Sequence, residues 1–200
     1  MEVPPLWTAA SEGLFEEVQR LLDNGEDIEA TGGPFPPTTP LGEAAYRGHV
    51  PIVQLLLDNG AEVSAKTAHG RTPLHYAAVH SQVAVVLLLI DNAAEVSAKN
   101  RIGWTPLHLA TFCGHQEVVQ LLVQRGAEVS ATNEAGQTPE DTTSVRAHPQ
   151  IAAMLEAEAV RRARCEAFAM GQHARLGAGS WVQELEPGVV QMVVAATRNV

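Results

Sequence analysis

The 200-residue sequence is poor in cysteine, in aromatic residues and in basic residues, and each shortage argues against a class of protein. Its two cysteines, Cys113 and Cys165, cannot build a disulfide framework or a four-cysteine zinc site. Aromatic residues make up 4% of the chain, which disfavours a large β-sandwich core. Since 13 basic residues face 23 acidic ones, for a net charge of -10, we expect no nucleic acid as the main partner.

Long apolar segments are absent as well. The longest apolar run covers residues 83–90, whereas a membrane-spanning helix needs about 20 apolar residues. The first residues contain Glu2 and two prolines, and they lack the apolar core of a secretory signal. We therefore expect a soluble intracellular protein, cytoplasmic or nuclear, that makes no contact with a membrane.

What the sequence does contain is a repeat of 33 residues. The dipeptide Thr-Pro recurs at this spacing, at Thr39, Thr72, Thr105 and Thr138. A second motif, Ala-Glu-Val-Ser-Ala, recurs in step with the first, from Ala61, Ala94 and Ala127. A fixed period of this length indicates stacked units, each of which buries its apolar side against the next.

Each Thr-Pro dipeptide is typical of a helix start. The threonine hydroxyl can cap the helix, and proline at the first helical position loses no hydrogen bond. Because His75 and His108 follow the threonine by three residues, we expect their side chains to reach back to the cap. Gly48 and Gly114 are expected to end this helix, and a second helix rich in Val, Ile and Leu follows.

These motifs resemble those of the ankyrin repeat family. Residues 72–75 and 105–108 read Thr-Pro-Leu-His, the signature of the family, and residues 48–49 and 114–115 supply its Gly-His pair. The resemblance covers about residues 4–156. It implies an all-α solenoid of helix-turn-helix units with β-hairpin loops, in which the hairpin tips and the first helices line a concave face.

The repeat predicts a domain over residues 1–156 and a helical extension over residues 157–200. We expect five units, at residues 4–31, 37–66, 70–99, 103–132 and 136–156, with a degenerate first unit and a polar fifth unit acting as caps. The proline-rich loop between the first two units is not expected to pair as a strand. In the third unit Ser81 and Ala93 replace glycines, which predicts backbone strain and a loosely held unit.

The resemblance places protein-binding residues at the hairpin tips and just after the alanine pair of each first helix. The corresponding residues here are Tyr46, Arg47, His69, Arg71, Val79, His80, Arg101, Ile102, Trp104, Phe112, Glu134 and Gln137. Aromatic and arginine side chains contribute most to interface energies, so Trp104 is the leading candidate. The alternative for Trp104 is packing on the next hairpin, and the alternative for the arginines is an ordinary solvated charge. Phe35, in the proline-rich loop, is expected to join this surface.

Neither catalysis nor metal binding is indicated. The candidate ligands are His75, His80, His108, Cys113 and His115. Equivalent positions of adjacent units lie about 8–10 Å apart, whereas two ligands of one zinc ion lie within about 4 Å. The serine in residues 177–181 does not fit a nucleophile elbow, and no phosphate-binding glycine loop is present. We therefore predict a protein that is not an enzyme and needs no cofactor or metal.

Residues 157–200 have no motif that assigns a role. Residues 156–170 favour a helix, the glycines from Gly171 to Gly179 are expected to break it, and a short apolar helix is expected within residues 181–194. The extension is interpreted as a cap on the last unit, as a docking segment for a partner or a second copy, or as a disordered end.

The leading interpretation is a monomer whose concave face binds a partner protein, with dimerisation through the extension as an option. The alternative is an adaptor, for example a substrate receptor of a ubiquitin ligase, whose residues 157–200 recruit a second machine.

Overall fold

The computed structural model describes residues 3–33, 37–143 and 148–175. These residues fall into two compact units, which divide between Ile151 and Ala152. Phe35 and the predicted helix within residues 181–194 lie outside the described residues. The expected domain boundary at residue 156 and the expected adaptor role of the extension stay predictions. No helix in the described part of the chain has the length and hydropathy needed to cross a bilayer.

Packed helices that follow one another in the chain build the first unit, mostly in pairs. The first helices of the pairs are α1 (Pro5–Glu12), α3 (Pro40–Arg47), α5 (Pro73–Val79), α7 (Pro106–Cys113) and α9 (Pro139–Thr142). The second helices are α2 (Phe15–Asp23), α4 (Val50–Asp58), α6 (Val83–Asp91) and α8 (Gln116–Gln124), and α10 (Pro149–Arg175) follows. First helices pack on first helices and second helices on second helices, in chain order. The expected all-α solenoid is confirmed.

The expected capping by threonine and histidine is confirmed at α5 and α7. The backbone N–H of Thr72 donates to Nδ1 of His75 over 3.1 Å, and Thr105 and His108 repeat this bond over 3.2 Å. Each histidine also bonds the following loop through Nε2, which lies 3.0 Å from the carbonyl oxygen of Trp104 or 3.1 Å from that of Gln137. One side chain therefore caps its own helix and fastens the next repeat.

The core runs along both rows of helices. Alanines on the first helices are fully buried and allow close packing, at Ala44, Ala45, Ala77, Ala78 and Ala110. The second helices bury branched side chains, at Ile52, Val53, Leu56, Val85, Val86, Leu89, Val118, Val119 and Leu122. Burying such a side chain contributes roughly 1.5–3 kcal/mol, and both the partner helix of the same repeat and the neighbouring repeats provide that burial.

The loops differ from the expected β-hairpins. The N–H of Thr67 donates to the carbonyl of Arg71 over 3.0 Å, and no strand extends this pair. Gly70, at a φ of 73°, turns the chain back so sharply that it enters the next helix after one paired position. The same pattern recurs between Asn100 and Trp104 and between Asn133 and Gln137.

Two further expectations concern the proline-rich loop and the glycines of the extension. The described part of the loop, residues 32, 33 and 37, forms no strand, as expected. Gly32 and Thr38 form an isolated antiparallel bridge, because the pairing uses residues that flank the prolines and keep their N–H groups. Helix α10 continues past Gly171 to Arg175, and since Gly177 and Gly179 lie outside the described residues, the expected break between Gly171 and Gly179 stays a prediction. A glycine costs a helix only about 1 kcal/mol relative to alanine, so the strong helix formers before it carry the helix past that position.

Candidate protein-binding surface

Three rings from two neighbouring first helices form a cluster at the surface, which we call the tyrosine cluster: Tyr46, Tyr76 and His80. The Tyr46 ring meets the Tyr76 ring edge-on with centroids 6.3 Å apart, and it meets the His80 ring edge-on at 4.0 Å. Tyr46 lies near the end of α3 and the other two residues belong to α5 and its C-terminal cap. The packing of α3 on α5 therefore brings the three rings together.

Two arginines border the tyrosine cluster. The Arg47 guanidinium lies 5.5 Å from the centre of the Tyr46 ring, and the Arg71 guanidinium lies 6.0 Å from the centre of the Tyr76 ring. A cation over an exposed aromatic ring contributes about 0.5–1 kcal/mol. Arg47 also forms an ion pair with the buried carboxylate of Glu43, over 2.9 Å. Arg71 has no such carboxylate among the described residues.

A second group of rings, the tryptophan cluster, consists of Trp104, His108 and Phe112. The Trp104 ring lies edge-on to the Phe112 ring at 5.5 Å and tilted over the His108 ring at 5.9 Å. Phe112 is 60% exposed and Ile102, at the loop tip, is 53% exposed. Trp104 itself is half-buried, so its ring both packs within its own repeat and faces solvent.

The loop tips are joined to one another by backbone hydrogen bonds. The N–H of Arg101 donates to the carbonyl of His69 over 3.0 Å, and the N–H of Glu134 donates to the carbonyl of Ile102 over 3.1 Å. Gly103, at a φ of 75°, leaves room for this approach, because a Cβ there would crowd the backbone of Asn133. The tips therefore form a row whose backbone is fixed before any partner arrives.

Two of the expected site residues make contacts that stabilise the fold. Val79 is half-buried, and its carbonyl oxygen lies 2.8 Å from Nε2 of His115 in the next repeat. Gln137 bonds Asn133 through its side chain and His108 through its carbonyl. The binding role of all twelve expected residues stays a prediction.

Sequence reasoning missed Tyr76 and Glu43. Tyr76 is buried except for 8% of its surface, yet its ring completes the tyrosine cluster. Aligning the repeats would have singled out Tyr76, because the equivalent residue one period later is the aliphatic Leu109. Glu43 accepts a hydrogen bond from Ser11 over 3.2 Å and holds Arg47, so it positions a site residue without being exposed itself.

The local environment shifts the pKa of two titratable groups of this surface, His80 and Cys113, in the direction that favours the uncharged form. Burial lowers the pKa of His80, and the neighbouring charges of His115 and Arg47 lower it further, so the ring is neutral at pH 7. Burial raises the pKa of the Cys113 thiol, which keeps the sulfur protonated. Among the residues that the structure describes, no three of His, Cys, Asp and Glu lie close enough to share a metal ion.

Comparison with known proteins gives a consistent result for the repeats. A family model described as ankyrin repeats, in three copies, matches residues 6–100, and a model described as ankyrin repeat matches residues 102–134. Ankyrin repeats are generally protein–protein interaction modules, and the family is typically non-enzymatic. No match indicates a catalytic family. No individual curated protein matches the chain.

Proposed function

The chain belongs to the ankyrin repeat family, and from that premise we propose that it binds a partner protein on the concave face made by its loop tips and first helices. The observation that carries the proposal is the concentration of aromatic rings. The chain has nine aromatic residues, and four of them, Tyr46, Tyr76, Trp104 and Phe112, belong to the tyrosine and tryptophan clusters. Aromatic and arginine side chains are the residues that most often dominate binding energy.

The rigidity of this face supports the proposal. The tip-to-tip hydrogen bonds at Arg101 and Glu134 and the ring contacts of Tyr46 hold the surface in one arrangement. A surface that is already ordered loses little conformational entropy on binding, so more of its contact energy contributes to affinity. Phe112, which is 60% exposed, gives this face a large apolar side chain that a partner can cover.

Affinity capture with the full chain, followed by mass spectrometry, tests the proposal. We expect Phe112→Ala to abolish or strongly reduce capture of the partner, because a buried interface phenylalanine is worth about 2 kcal/mol or more. Phe15→Ala is the matched control, since Phe15 is an exposed phenylalanine on α2, a second helix. Equal capture by Phe112→Ala and the unmodified chain would show that the partner uses another surface.

We also propose that this binding takes place inside the cell, in the cytoplasm or nucleus, by a monomeric chain. Both cysteines are free, and Cys165 is exposed. Exposed thiols persist in reduced form in the cytosol and tend to be oxidised outside the cell.

A further inference from the structure

Charged residues are divided unequally between the two rows of helices. The second helices and the residues directly after them, at 15–29, 50–62, 83–95 and 116–128, contain twelve acidic and two basic residues. The first helices α3, α5 and α7 with the tips of the preceding loops, at 38–47, 66–80 and 99–113, contain five basic residues and one acidic residue. That acidic residue is Glu43, which is buried and paired with Arg47. The candidate surface is therefore positively charged on a chain whose net charge is -10.

Most of these basic side chains have no acidic partner in the part of the chain that the structure describes. Within the described residues no carboxylate lies at ion-pair distance from Lys66, Arg71, Lys99 or Arg101. Lys66 and Arg71 line one shallow cleft together with Tyr76. Arg101 lies at the next loop tip, where its N–H bonds the carbonyl of His69. The structure thus places unneutralised cations directly beside the aromatic rings of the tyrosine cluster.

Building on the proposed function, we propose that the segment bound here is an acidic peptide in an extended conformation. Its carboxylates lie against Arg71 and Arg101, and its apolar side chains contact the tyrosine and tryptophan clusters. Arginine binds carboxylates through two parallel hydrogen bonds, which gives geometric specificity as well as energy.

The spacing of the tips defines the pattern of the peptide. Successive packed helices lie about 8–10 Å apart, and an extended peptide in the polyproline II conformation rises about 3.1 Å per residue with three residues per turn. Acidic residues about three positions apart would therefore reach successive loop tips. A single-stranded nucleic acid also combines negative charge with stacking groups, but it carries a phosphate at every nucleotide. A chain with a net charge of -10 therefore repels it more strongly than a peptide whose carboxylates are confined to the loop tips.

The basic residues Arg47, Lys66, Arg71, Lys99 and Arg101 form a positively charged strip, which ends before the loop that precedes α9. Glu134 occupies the position that Arg101 occupies one repeat earlier, and it is exposed. The carboxylates of the peptide are therefore expected to end before this tip. Replacing Glu134 by arginine would extend the strip by one repeat, and we expect this change to tighten binding about threefold, the size of a favourable exposed ion pair.

Selection of short random peptides displayed on phage, on the immobilised full chain, tests the inference. The selected peptides are then synthesised with a fluorescein label and titrated by fluorescence anisotropy. We expect them to be rich in Asp and Glu, and we expect Arg71→Glu and Arg101→Glu each to weaken their binding about tenfold, as a lost charged hydrogen bond does. Arg20→Glu on α2 makes the same change in net charge and is expected to leave affinity within about twofold, because its effect at this distance is screened.

The outcomes separate this inference from the proposed function. The inference of an acidic peptide is overturned if the selected peptides have no acidic excess, or if they bind Arg71→Glu and the unmodified chain equally. The proposed function remains intact in either case if the same peptides no longer bind Phe112→Ala. Peptides that Phe112→Ala binds unchanged contradict both. Single-stranded oligothymidine and the unlabelled peptide are then compared as competitors of the labelled peptide. Displacement by oligothymidine at the lower concentration would show that the strip binds a nucleic acid. A selection that enriches no peptide also overturns the inference. It leaves the proposed function open to its own test, the affinity capture.

Discussion

Acid should destabilise the repeats through His75, and the structure allows the size of the effect to be worked out. The side chain is fully buried, its Nδ1 accepts the N–H of Thr72, and its Nε2 donates to the carbonyl of Trp104. The ring therefore carries one proton, on Nε2, and a second proton on Nδ1 would face a donor. Burial, assisted by the positive charges of Arg71 and Lys66, lowers the pKa of His75 to about 4.

The sign follows from comparing the folded and unfolded chains. In the unfolded chain a histidine has a pKa of about 6.5, so between pH 6.5 and 4 the unfolded chain binds more protons. The free energy of unfolding therefore falls as the pH drops through this range. The loss from His75 alone is about 2 kcal/mol at pH 5 and reaches about 3 kcal/mol below pH 4. Burial also lowers the pKa of His108, which adds to the loss in the same direction.

Urea denaturation of the full chain at pH 7 and pH 5 measures this loss. Glutamine can accept from Thr72 and donate to Trp104 without titrating, so His75→Gln should lose about 2 kcal/mol less than the unmodified chain between the two pH values. Leu74→Val is the control, because it weakens the same helix and changes no titratable group. The contributions of carboxylates cancel in the comparison. An equal loss in His75→Gln and the unmodified chain would refute the account of the buried histidine.

Two further predictions concern backbone strain and thiol reactivity. Ala93 has a φ of 64°, so Ala93→Gly should stabilise the chain by about 1 kcal/mol and raise its melting temperature, and hydrogen exchange should be faster in α6 than in α4 and α8. A lower melting temperature for the variant, or slower exchange in α6, would contradict the strain. At neutral pH a thiol reagent should modify the exposed Cys165 before the half-buried Cys113, whose pKa is raised by burial. Mass spectrometry of the peptides gives the order, and modification of Cys113 first would contradict the prediction.

Local chemistry made the repeat framework predictable. The cap at Thr72 depends on a residue three positions away, and the same spacing recurs at Thr105. Each cap therefore forms within one short segment and can be predicted without knowing how the repeats pack. The positive φ of Ser81 and Ala93 follows in the same way, since each residue occupies a position where neighbouring repeats have glycine. Short-range geometry fixes these features, and the register of the repeat is enough to transfer them from one unit to the next.

The composition of the surface was harder to predict because it depends on contacts between repeats. Tyr76 is a core-type position along the chain, and its ring becomes part of the surface only because α3 brings Tyr46 against it. The absence of strands in the loops likewise depends on how soon the chain enters the next helix after Gly70. Predicting such features requires the packing geometry of neighbouring repeats, which the sequence of a single repeat does not determine.

The hydrogen bonds that stack the repeats also set the geometry of the proposed binding face. The carbonyl of Trp104 is bonded by His75 of the preceding repeat, while its N–H donates to the side chain of Asn100 over 2.9 Å. The backbone that carries this tryptophan is therefore held from both sides, and its ring is further fixed by Phe112 and His108. Because the same contacts contribute to folding and to the order of the surface, stability and affinity should change together in variants of the buried histidines. Variants of exposed residues such as Phe112 should change affinity more than stability, since 60% of that residue is exposed before the partner binds.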